Sequence, residues 1–408
     1  MDSKKNKKNK LIIFYFVVLI IWIIAFLSVI FINYKKVSKY NNKIFYNSYV
    51  DNYNISGKNL DNIDEVVNSC SEKILSKNIK FVINGIEYLY KYSDLNITID
   101  KNKLKKEIIE YNANLSFFDK FDIINKDSKK VFTYDLIYNQ EDIEKFVSDV
   151  KLKVDLPLSN GRFVVSDNRE VSYVLGTDSF SLDINESTKK IMDNISNSDT
   201  IELVGTSQKA TNDENYKLVD TKVSSFSTEF NPYISRATNL KTALNYIDGA
   251  IIIPGEVFSF YKYAGPYGKK GYVFYYEFVG NGVCQIATTV YNAALLGGLE
   301  IVKRYPHAKK SVYVDGGLDA TVASYASGWN VDFQFKNTYR YPIYVSAYAI
   351  GNKAYVDLWS NSNAKEGKTY TTESVKLGSR YYKTYLHTFQ DGVEIDKKLI
   401  ASTWYTED

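Results

Sequence analysis

The sequence predicts an α+β protein: an N-terminal transmembrane helix, two small repeated α+β lobes, then a mainly antiparallel-β domain with short helices. Three observations point to it. An uncharged apolar run lies near the N-terminus, helix-period and strand-period segments take turns through the first half, and alternating apolar runs dominate the second. With 408 residues, 45% hydrophobic and 24% charged, the chain suits two or three packed domains rather than disorder.

From Leu11 to Ile32 no side chain is charged. At ~1.5 Å per residue that run covers the ~30 Å hydrocarbon core of a bilayer. Lys4, Lys5, Lys7, Lys8 and Lys10 precede it, while Lys35 and Lys36 follow. The heavier basic flank predicts a cytoplasmic N-terminus and a body outside the cell membrane. A cleaved signal peptide would show a shorter apolar core and a small-x-small site, so an uncleaved signal anchor is expected. The segments are then a basic tail at 1–10, the anchor at 11–32, a polar linker at 33–56, α+β lobes at 57–212, a catalytic domain at 213–360 and a hairpin extension at 361–408.

In the lobes, Ile63, Val66, Val67, Cys70, Ile74 and Leu75 keep a helical period over 62–77. Lys80–Ile83 and Tyr88–Tyr92 flank an Asn84-Gly85 turn, the signature of a hairpin, and a helix follows at 103–111. A similar order recurs at 161–166, 171–175 and 187–195. Beyond Asn212, Arg236–Ile247 reads as a helix, followed by strands at 250–253, 299–304, 310–314, 331–335, 343–348 and 354–359. A hairpin spans 381–404, turning at Asp391-Gly392.

Outside 1–32, which holds five Lys and one Asp, the chain carries 46 basic and 46 acidic side chains. A neutral body argues against nucleic acid, whose affinity comes largely from cations neutralising phosphates. Two Cys and two His exclude a disulfide-rich scaffold. The chemistry gathers at Gly280-Asn281-Gly282-Val283-Cys284-Gln285, which runs into a helix ending at Gly297-Gly298. Cys284 falls at that helix's start, where unpaired N–H groups and the positive dipole end favour a thiolate. The N–H groups of Cys284 and Gln285 are placed to receive the oxyanion of an acyl intermediate. The alternatives are a buried structural Cys or a disulfide to Cys70. His307, after Pro306, is the candidate base, against the reading of a turn residue, while His387 has no accompanying groups and reads as structural. Asp319 is the first choice to orient the imidazole and Asp315 the second. The planar fork of Arg304 suits a substrate carboxylate. Zinc on Cys284, His307 and Asp319 is a further option with no usual spacing, so no metal or cofactor is expected.

Residues 230–359 closely resemble the VanW domain family. The matching pieces include Asn231-Pro232, Arg236-Ala237, Pro254-Gly255-Glu256-Val257-Phe258, Gly282-Val283-Cys284-Gln285, Thr288-Thr289, Arg304-Tyr305-Pro306-His307 and Asp319-Ala320-Thr321-Val322. The family commonly has a third glycine where this chain has Asn281. Residues 61–203 resemble, less sharply, the peptidoglycan-binding module that often precedes VanW domains. Similar membrane-anchored members are understood to act as L,D-transpeptidases, which implies peptidoglycan stem peptides as partners and a thioester on Cys284. The candidate site is then Cys284, His307 and Asp319 as catalytic residues, with Gly282, Gln285, Asn281, Arg304 and Thr288 as substrate-binding or oxyanion contacts. A non-catalytic wall-binding scaffold and a cysteine peptidase of stem peptides are the competing readings.

Overall fold

The computed structural model describes residues 2–268, 271–276, 278–325 and 327–406. Its helices are α1 (Asp2–Ser38), α2 (Ile63–Leu75), α3 (Lys101–Asn114), α4 (Phe117–Lys126), α5 (Gln140–Val154), α6 (Ile184–Asn194), α7 (Arg236–Ile247), α8 (Phe260–Ala264) and α9 (Val283–Leu296). α1 is long and apolar enough to cross a membrane. Contacts divide the chain into two units, 1–158 with 178–208, and 159–177 with 209–408.

The first unit holds two cores. In one, Ile63, Val66, Val67, Cys70 and Ile74 of α2 pack with Leu104 and Ile108 of α3. The other gathers the 78–91 hairpin, α5 and α6. The two lobes therefore exchange parts relative to the sequence order: the first hairpin packs in the second core. Strand Thr200–Glu202 pairs parallel with it, and the hairpin 162–174 lies in the second unit. α5 was not among the sequence-derived elements, although its signals are plain. Asn139 caps its N-terminus, and Ile143, Phe146, Val147, Val150 and Val154 are its buried stripe.

The linker expected at 33–56 is corrected. Ser48–Val50 and Tyr53–Asn54 are strands of one sheet with Lys130–Phe132, and Ile44, Phe45, Val50 and Ile55 are fully buried. These apolar residues outweigh a polar composition: Ile44, Val50 and Ile55 join the α2–α3 core, while Phe45 is buried with its ring edge-on to Tyr40.

In the second unit a four-stranded antiparallel sheet runs in the order Thr221–Glu229, Lys353–Ser360, Ile343–Ile350, Ile251–Ile252. α7 packs on Ile343–Ile350, and α9 lies against Thr221–Glu229 and Lys353–Ser360. A second sheet joins Val257–Ser259, Gln334–Lys336 and Glu300–Lys303. The strand expected at 331–335 is interrupted where the buried Asp332 accepts from Ser259 Oγ at 2.6 Å and the Tyr261 N–H at 2.8 Å. Residues 310–314 are irregular rather than a strand. Val312 points to solvent there, while Tyr313 turns inward. The C-terminal hairpin forms as expected and gains a third strand, Lys368–Lys376.

If residues 44–55 are core rather than spacer, Phe45→Ala destabilises the first unit by about 3–5 kcal/mol. A fall in the urea midpoint of the full chain in detergent checks this; a spacer residue would leave it unchanged.

Candidate active site

α9 is a buried helix that carries polar groups at a helical spacing. Cys284, Thr288 and Asn292 stand four residues apart on one face. Facing them, residues 318–322 run extended. The Cys284 thiol donates to Val322 O at 3.2 Å and the Val322 N–H lies 3.5 Å from Sγ. Thr288 Oγ1 donates to Ala320 O at 3.2 Å and accepts from the Ala320 N–H at 2.9 Å. Asn292 Nδ2 donates to Leu318 O at 2.8 Å. Four helical residues rise ~6 Å and two extended residues ~6.6 Å, so the two segments stay in step.

That docking buries Asp319 completely and fixes where its carboxylate points. Oδ2 accepts from the His307 backbone N–H and contacts His307 Nδ1, both at 2.7 Å. Oδ1 accepts from Tyr405 Oη at 2.7 Å and from Arg304 Nη2 at 3.1 Å. Burial would push the Asp319 carboxyl up. The His307 ring and N–H, Arg304 and Tyr405 outweigh it and hold the carboxyl below its ordinary value. Burial likewise works against the His307 imidazolium. Hydrogen bonds and charge from Asp319 and the Cys284 sulfur win, and raise its pKa from 6.5 to about 9. His307 thus contacts Asp319 directly and lies close enough to Cys284 for the sulfur to act on its ring. Its Nδ1 is taken by Asp319, with Ser311 Oγ at 3.3 Å, so Nε2 is the nitrogen left for the sulfur.

The loop before Cys284 demands its glycines. Gly282 caps α9 at φ 109°, and a Cβ there would lie 2.7 Å from Leu240 and 2.8 Å from Arg236. At Gly280, φ 75°, a Cβ would meet Tyr267 O at 2.5 Å. Asn239 fastens the loop from α7, donating to Asn281 O and Val273 O at 3.0 Å each.

The structure thus brings Cys284, His307 and Asp319 together. Asp315 is exposed and its carboxylate stays out of the cluster. Of the remaining candidates, Gly282 is buried under Leu240 and Arg236 and caps α9. Thr288 is fully buried and occupied with Ala320. The Asn281 amide reaches Tyr275 O at 3.4 Å. Arg304 is spent: beyond Asp319 Oδ1 it donates to the carbonyls of Asp319 and Gly317 and to Thr403 Oγ1. The fork read as a carboxylate receptor is therefore a brace inside the domain. Gln285 is buried as well, its amide donating to Thr228 Oγ1 at 3.1 Å and Glu229 O at 2.7 Å. Its backbone N–H is bonded to Gly282 O at 2.9 Å. Among the described residues no acceptor takes the Cys284 N–H, which leaves that group for an oxyanion.

Two residues escape sequence reasoning. Tyr405, 1% exposed, arrives from the C-terminal extension and bonds both Asp319 and the Gly317 N–H. No local pattern announces it; only the third sheet's path brings it there. Tyr313 is turned inward near Ser311 and Thr288, and burial lifts its phenol to about 12. Cys70 is a free thiol, as is Cys284; it is 3% exposed and burial pushes its pKa up.

Residues 235–359 match the family model described as "VanW like protein", a span that encloses Cys284, His307 and Asp319 and stops short of Tyr405. Residues 88–202 match the model described as "Putative peptidoglycan binding domain". In Bacillus subtilis (strain 168), the "Uncharacterized protein YoaR" is 36% identical over 136 residues, 31% of this chain and 44% of that protein. The chain thus spans less than half the length of the curated relative it matches. No solved structure matches.

The raised His307 pKa has a stability consequence. Its contribution is fully present below the unfolded value of 6.5 and is lost as pH rises through about 9. Urea midpoints of the wild type should therefore fall between pH 6.5 and 9.5 by more than those of His307→Gln. In Asp319→Asn the imidazole, followed by NMR, should titrate well below 9.

Proposed function

We propose that this chain, with a VanW-like domain behind a peptidoglycan-binding domain, is a membrane-anchored cysteine L,D-transpeptidase of peptidoglycan. One observation supports the reading: the buried Asp319 carboxylate holds His307 by Nδ1, with the Cys284 sulfur at the N-terminus of α9 near enough to raise that imidazole's pKa. α1 supplies the anchor, its lysine-rich end in the cytoplasm and the body facing the wall.

The chemistry runs in two halves. The Cys284 thiolate attacks the carbonyl joining the third residue of a stem tetrapeptide to its terminal D-Ala. The oxyanion is met by the Cys284 N–H at the positive end of α9. The C–N bond breaks, His307 Nε2 gives its proton to the leaving amine, and D-Ala departs, leaving a thioester. The side-chain amine of another stem's third residue then attacks. It gives its proton to the neutral imidazole as the C–S bond breaks, the 3→3 amide forms and the thiolate–imidazolium pair returns. Asp319 keeps Nδ1–H directed at itself throughout, so Nε2 always faces the sulfur. Hydrolysis differs only in the second nucleophile, water in place of the amine.

Incubating the full chain in detergent with a disaccharide-tetrapeptide should add an acyl mass to Cys284, absent in Cys284→Ala and kept in Cys70→Ala. Unmodified wild type that still binds sacculi would instead identify a scaffold. His307→Ala should lower turnover by roughly 10²–10⁴-fold, the scale of a lost acid–base group. Wild-type D-Ala release by that variant would remove His307 from the proposed chemistry.

A further inference from the structure

With Arg304 occupied inside the domain, the site needs another cation if its substrate ends in a carboxylate, and α7 supplies one. Arg236 opens α7, with its Cγ and Nε against Gly282: a Cβ on that glycine would lie 2.8 and 3.0 Å from them. Its Nη1 donates to Gln285 Oε1 at 2.7 Å. Gln285 is itself buried and held by Thr228 and Glu229, and it adjoins Cys284 in the chain. The guanidinium is thus fixed beside the nucleophile's loop by a rigid neighbour. Among the described residues no carboxylate pairs with it and no other acceptor takes its remaining N–H groups. Tyr313 lies near enough to both Cys284 and Arg236 for their charges to act on its phenol.

An arginine held this way, half-buried and without a counter-charge, is built for a planar anion. We infer that Arg236 binds the free α-carboxylate of the donor's terminal residue, which makes the domain specific for cleaving the last peptide bond. The reasoning rests on the transpeptidase reading for the bond attacked. In the leaving amino acid the carboxylate lies two covalent bonds from the departing nitrogen, so a cation next to the sulfur's loop meets it while the carbonyl lies at Cys284. Gln285 is the positioning residue, giving up one oxygen to orient the fork.

The test separates recognition from chemistry by measuring binding to the full-length Cys284→Ala chain in detergent. The probes are a disaccharide-tetrapeptide with a free terminal carboxylate and the same molecule ending in a carboxamide. The acid should bind at least tenfold more tightly than the amide. Adding Arg236→Met, which keeps the stem packed on Gly282, should erase the difference by weakening the acid alone, and Arg236→Lys should fall between. Equal binding of acid and amide by the parent, or a preference that survives Arg236→Met, overturns the assignment. If the preference behaves as expected but wild-type Cys284 never acquires an acyl group, Arg236 stands as a carboxylate receptor and the transferase reading falls.

Discussion

The buried carboxylate of Asp319 is the constraint around which the second unit is arranged. A charge with no solvent access costs several kcal/mol unless every lone pair is met. Here the backbone and ring of His307, Arg304 and Tyr405 meet them together. These groups come from a strand end, a Pro-led loop and the C-terminal tail. Arg304 then spreads the bracing to the Gly317 and Asp319 carbonyls and Thr403. Stability and imidazole orientation thus draw on one cluster, and losing any donor would disturb both.

α9 acts as the ruler. Its 14 residues span ~21 Å, and the polar groups at 284, 288 and 292 hold the extended segment that presents Asp319. The same segment's Val322 brackets the sulfur. Cys284 therefore has two attachments, one through the helix start and one through residues 318–322, and its approach to His307 follows from them rather than from loop flexibility. The two thiols of the chain contrast accordingly. Cys70 is packed among the aliphatic side chains of the α2–α3 core, while Cys284 is partly open and lies near an imidazole whose pKa is raised.

Much of this was legible in the residues. α7 and the start of α9 fall where apolar periodicity and glycines put them; Cys284 and His307 could be singled out because the chain has only two Cys and two His, and Asp319 as one of two carboxylates in a glycine-rich turn. The secondary roles were not. Arg304, Thr288 and Gln285 are polar residues that in sequence look available to a substrate, yet each is consumed by a buried backbone or side-chain partner. Polar side chains reveal whether they serve fold or ligand only through what surrounds them, because an unmet buried donor is costly and the nearest acceptor claims it.

The sequence by itself determined the membrane-spanning length of α1, the helical and strand periods, the turns that need glycine and which thiol and imidazole are the candidates for chemistry. These are local properties, set by backbone sterics and by the spacing of apolar residues over a few turns. Tertiary structure alone decided that Ile44, Phe45, Val50 and Ile55 are buried, that Tyr405 closes the Asp319 cluster, and that Arg304 is bound to Asp319 while Arg236 is bound to Gln285. The reason is range. Such pairings join residues tens of positions apart, and their partners are chosen by what burial leaves unsatisfied.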